Sequence, residues 1–132
     1  MKSVGLDTSV VLRLLLAVPA DQAARAEAFL DEVARSGARA VVSDLVVAET
    51  YFALQHHYGV PKAEAQAALR QMFAAGEIES SGAAGEVLAL PGLASAKPGL
   101  VDRLIHGAYT SREGAMATFE KAAGKLRSVR VL

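Results

Sequence analysis

The feature that most constrains this chain is its alternation of short apolar runs with longer helical segments. "SVGL" gives way at once to Thr8 and Ser9, residues that suit the start of a helix through "VVLRLLLA". "ARAVVS" leads in the same manner into "LVVAETYFALQHHY", with Ser43 or Asp44 as the cap and Gly59 as the stop. "EIES" reads as a short edge strand, and "AMATF" and "SVRVL" supply two further strands near the C-terminus. Helices are expected over "DQAARAEAFLDEVARS" between Pro19 and Gly37, over "KAEAQAALRQMFAA" between Pro61 and Gly76, and over "LVDRLIHGAYTSRE" up to Gly114, with a short one at "EKAAGKL". Prolines and glycines interrupt "EVLALPGLASAKPG", which gives no firm reading. Strands separated by helices pair in parallel through right-handed crossovers. The expected fold class is therefore α/β: a single domain over residues 1–132, an α/β/α sandwich with a central, mainly parallel sheet.

Bulk properties narrow the function classes. A length of 132 residues suits one domain with a real core, and 52% hydrophobic against 21% charged residues argues against disorder. No run approaches the ~18 uninterrupted apolar residues of a membrane span. Asp7 interrupts the N-terminal apolar run too early for a secretory signal, so a cytoplasmic protein is expected. Cysteine is absent, which removes disulfides and thiolate metal sites and leaves oxygen or imidazole as metal ligands. Fourteen basic residues balance fourteen acidic ones, so net charge neither announces nor excludes a nucleic-acid partner.

Four carboxylates stand out from the solvated helix-face acids. Asp7 directly follows the first strand and Glu120 follows "AMATF", and in parallel α/β sheets ligands bind beyond the carboxyl ends of the strands. Glu49 lies four residues after Leu45 and three before Phe52, which places it on the apolar stripe of its helix. Asp102 borders the stripe of Val101, Leu104, Ile105 and Ala108 and is expected half inward. Each has an ordinary explanation when taken alone: a helix cap for Asp7, a buried ion pair for Glu49, first-turn helix acids for Asp102 and Glu120. Taken together they can converge on one crevice, where their repulsion calls for a cation. Mg²⁺ or Mn²⁺ suits such oxygen ligands, with the hydroxyls of Ser9 and Thr118 nearby. An ion in that setting polarises a phosphate oxygen and activates water, and a second ion ~3.5 to 4 Å away steadies the leaving oxygen. Hydrolysis of a phosphodiester is the chemistry that follows.

The segments "VGLDTSVVLRLLL", "VVSDLVVAETYFAL" and "GLVDRLIHGAYTSREGAMATFEKAAGKL" resemble, in order and spacing, the PIN-domain nucleases and more narrowly their VapC-like toxins. The resemblance implies a PIN-like α/β/α sandwich, an acidic Mg²⁺ site and endoribonuclease activity leaving 5′-phosphate and 3′-hydroxyl ends. It matches Asp7, Glu49 and Asp102 to the family's acids, and Ser9 and Thr118 to the hydroxyls that support them. Glu120 departs from it, because the family usually has aspartate after "TF". The implied partners are an RNA substrate, a cognate antitoxin protein and a second copy of the chain.

Other motifs carry less. His56 and His57 suit the carbonyl end of a helix better than zinc, and His106 is expected to face water. "AGKL" lacks the remaining residues of a phosphate loop. Arg13, Arg103, Arg112 and Lys121 flank the expected rim, where they could meet RNA phosphates or simply solvent. Two rival functions remain: a catalytically weakened or inactive PIN-fold binding module, suggested by Glu120, and a phosphatase with Asp7 as nucleophile. Ser9 counts against the phosphatase, because it stands where a second aspartate would be needed.

Overall fold

The computed structural model describes residues 2–132. The chain runs β1 (Ser3–Gly5), α1 (Thr8–Leu16), α2 (Ala20–Ser36), β2 (Arg39–Val42), α3 (Asp44–His56), α4 (Lys62–Ala74), β3 (Ile78–Ser80), α5 (Ala84–Leu88), a 3₁₀ turn at Leu93–Ser95, α6 (Leu100–Thr110), β4 (Met116–Thr118), a 3₁₀ turn at Lys121–Lys125 and β5 (Val129–Val131). It is the α/β architecture that the alternation predicts, and every strand pairing is parallel. The strands do not form one continuous sheet. β1, β2 and β3 hydrogen-bond in that order, with Val4 opposite Ala40 and Ala40 opposite Ile78, while β4 and β5 form a separate ribbon.

Local chemistry explains most boundaries. Pro19 occupies the N-cap of α2, where a missing N–H costs nothing, and Gly37 closes that helix in the left-handed region at φ 78°. The Ser43 hydroxyl caps α3 by accepting the Val46 N–H at 3.3 Å. Asp44, the other capping candidate, reaches across instead. Its carboxylate accepts the backbone N–H groups of Ala83 and Ala84 at 3.0 and 2.9 Å, which joins the start of α3 to the start of α5.

The core gathers Val11 from α1, Val42 from β2, Val47 and Leu54 from α3, Leu69 from α4 and Leu88 from α5. Here the expected phase of α3 is corrected. Its buried face is Val47, Thr50, Tyr51 and Leu54, whereas Leu45 is 83% exposed and Phe52 46% exposed. The helix carries apolar residues on nearly every side, so spacing alone admits two faces. Glu49 therefore points to solvent and not toward the interior. The stripe on α6 is rotated similarly: Leu100 and Leu104 are buried, and Ile105 and Asp102 are exposed.

Candidate acidic site

Asp7 leads from β1 into α1. Its backbone is extended (φ −79°, ψ 162°) and its carbonyl accepts the N–H groups of Val10 and Val11 at 3.0 and 3.1 Å, but its side chain makes no capping hydrogen bond. The residue holds a cap position without using its carboxylate as a cap. That carboxylate stays exposed at a helix N-terminus, whose partial positive charge favours it. Ser9 is exposed two residues further on. An exposed Asp7 carries little of the desolvation cost that its apolar neighbours in the sequence suggest.

Asp102 lies in the first turn of α6 and is exposed. Glu120 follows β4, and its backbone N–H donates to the Thr118 hydroxyl at 3.0 Å, which fixes the direction of the chain as it leaves the strand. These three residues line one cavity of about 270 Å³. Ile105, Tyr109 and Met116 give it an apolar wall, and no basic side chain lines it. Asp7 and Glu49 are not among its lining residues. Among the described residues no three histidine, cysteine or acidic side chains stand close enough to hold a metal ion together. The structure thus unites Asp102, Glu120 and Thr118, and leaves Asp7 with Ser9, and Glu49, on other elements.

Like charges sharing a cavity repel unless something positive intervenes. Among the described residues the one ion pair is Arg39 with Glu79 at 3.2 Å, so none of the four candidate acids is neutralised by a protein cation. The donors in the cavity are two carboxylates and a hydroxyl, all hard oxygen ligands. That set fits Mg²⁺, which is commonly held by one or two carboxylates and keeps several waters.

Sequence reasoning missed Tyr109, although its position seven residues after Asp102 places it on the same helical face. It also missed two larger concavities. One, of about 560 Å³, lies between α5 and α6 and is lined by Arg103, His106 and Arg127 with Asp44, Ser81 and Thr110. There the His106 Nε2–H donates to the Arg127 carbonyl at 2.6 Å and the Arg103 Nε–H to the Pro98 carbonyl at 2.7 Å, so both groups have backbone partners. The other, of about 500 Å³, lies between α1 and α2 and includes Ser9.

The PIN-domain family model matches residues 4–125 of the chain. No curated protein and no solved structure matches it.

Proposed function

The chain belongs to the PIN-domain family, and from that premise we propose that it is a Mg²⁺-dependent endoribonuclease, the toxin of a toxin–antitoxin pair acting in the cytoplasm. PIN domains are in general nucleases. The observation that carries the reading is the cavity shared by Asp102, Glu120 and Thr118, which holds two carboxylates and no basic side chain.

In this reading Asp102 and Glu120 would hold the ion, and Asp7 and Glu49, which do not line that cavity, are the further acids assigned to the same chemistry. Bound Mg²⁺, or Mn²⁺ in its place, supplies charge stabilisation for a phosphoryl group and acidifies water. The Thr118 hydroxyl keeps Glu120 in place by accepting its backbone N–H, and Ser9 is the hydroxyl assigned to Asp7 in the same reading. Ile105 and Tyr109, 47% and 60% exposed, give the cavity an apolar margin. The reading treats residues 1–132 as one domain and includes two protein partners, a cognate antitoxin and a second copy. Leu45 and Phe119, 83% and 80% exposed, are the large apolar side chains best placed to be covered by them.

The test is cleavage of labelled single-stranded and structured RNA by the purified chain. Cutting with Mg²⁺, arrest with EDTA and products bearing 5′-phosphate and 3′-hydroxyl ends are expected. Intact RNA of every kind at high enzyme concentration would reject it.

One observation favours a second reading, a binding module with weakened or absent catalysis: the described residues gather no group of three acids. Calorimetric titration with Mn²⁺ separates the two. Saturable binding belongs to the nuclease, and its absence alongside tight partner association belongs to the module.

A further inference from the structure

Helix α2 carries Arg25 with Asp21 one turn before it and Glu32 two turns after it, and of these three only Arg25 lines the groove toward α1. Gln22, Arg25, Ala26 and Phe29 recur at helical spacing and line the groove shared with α1. Glu27, Leu30 and Asp31 line a different cleft, of about 420 Å³, where Glu77 joins them. A chain with no net charge thus carries a groove lined by two arginines and no acid.

The arginines differ in freedom. The Arg13 Nε–H donates to Gln22 Oε1 at 2.6 Å, which holds one edge of the guanidinium, and among the described residues its terminal N–H groups have no protein partner. Arg25 is exposed and makes no ion pair among the described residues. A guanidinium with free N–H groups matches the paired oxygens of a phosphate. Phe29, 36% exposed, adds an aromatic surface in the same groove. At its other end the groove includes Ser9, two residues from Asp7.

We propose that the α1–α2 groove is a track for single-stranded RNA, with Arg13 and Arg25 meeting successive phosphates and Phe29 meeting an unstacked base, and that it leads the strand toward Asp7. The inference rests on the nuclease reading and names where its substrate lies. Single-stranded RNA fits better than a duplex, because a duplex hides the base faces that an aromatic side chain would meet. It fits better than an acidic peptide because a peptide gives Phe29 no base to stack on.

The experiment is equilibrium binding of a short fluorescein-labelled poly(U) RNA in EDTA, read by fluorescence anisotropy across a salt series. Arg13→Gln combined with Arg25→Gln should weaken binding about tenfold or more and lower the log–log salt slope by about 1.4, or ~0.7 per lost phosphate contact. Arg25→Gln alone, at an exposed position that leaves the Arg13–Gln22 bond intact, should give about half that slope change, and Arg25→Lys should restore most of it. Arg70→Gln, on the exposed side of α4, should change neither. Affinity and slope unchanged in the folded double variant would overturn the proposal. So would displacement of the RNA by poly-glutamate at equal charge, which would assign the groove to a protein. A chain that cleaves RNA while the double variant binds as the parent does loses the groove and keeps the nuclease reading. A chain that neither binds nor cleaves RNA loses both.

Discussion

Asp44 and Ala84 lie forty residues apart, and the carboxylate of the first accepts the backbone N–H of the second at 2.9 Å. The same carboxylate accepts the Ala83 N–H, and a Cβ added to Gly82 would fall 2.5 Å from its Oδ2. Charge-assisted bonds to backbone N–H groups are among the stronger polar contacts in a fold. Asp44→Ala is expected to lower stability by about 2–3 kcal/mol in urea denaturation, and Asp44→Asn by less, since it keeps one acceptor oxygen. An Asp44→Ala loss under about 0.5 kcal/mol would show that the clasp adds nothing.

Gly107 packs so closely on α5 that a Cβ there would lie 2.9 Å from the Cβ of Ala83. Gly107→Ala should destabilise by about 1–2 kcal/mol despite the better helix propensity of alanine. Adding Ala83→Gly should recover part of that loss, and a double-mutant cycle on thermal unfolding measures the coupling.

The phase of α3 can be tested by comparing two neighbouring positions. Leu54 is 1% exposed, so Leu54→Ala is expected to cost about 2–5 kcal/mol. Phe52→Ala, on the open face, should cost about 1 kcal/mol or less. Denaturant midpoints in the reverse order would restore the face that spacing first suggested.

Asp102→Asn and Glu120→Gln should each reduce RNA cleavage by about a hundredfold or more, equivalent to about 2.7 kcal/mol of barrier. Neither carboxylate is in an ion pair with a protein cation, so thermal midpoints should stay near the parent value. Glu120→Asp, which shortens the side chain by one methylene, should preserve or raise the rate. Initial rates on labelled RNA with matched melting curves check all three. Equal cleavage by Asp102→Asn would remove that residue from the site.

Much of this was legible in the chain. The strands were readable because short β-branched runs sit beside helix-start residues, as at "ARAVVS" before Asp44. The end of α2 was readable because Gly37 takes a backbone conformation that other residues avoid. The ends of α3 and α6 were less so: α3 stops at His56, before Gly59, and α6 at Thr110, before Gly114. α5 was hidden by the prolines and glycines that follow it. At the candidate site, strand-end position set Glu120 on one rim with Asp7, whereas the cavity that Glu120 lines is shared with the helix acid Asp102 and not with Asp7. The orientation of Glu49 was misread because a helix with apolar residues on nearly every side does not show which side its neighbours take. The Arg25 and Phe29 flank went unread because its meaning depends on α1 lying alongside.

The division of the strands into two sheets has a geometric consequence for the acids. Glu120 leaves β4 and Asp7 leaves β1, and no backbone ladder joins those two strands. Partners within a ladder are locked at about 4.8 Å from strand to strand. The gap between these two carboxylates obeys no such ruler. It is set by how side chains nest between the ribbon and its surroundings, so a methyl group gained or lost in that packing can retune it while both hydrogen-bonded sheets stay intact.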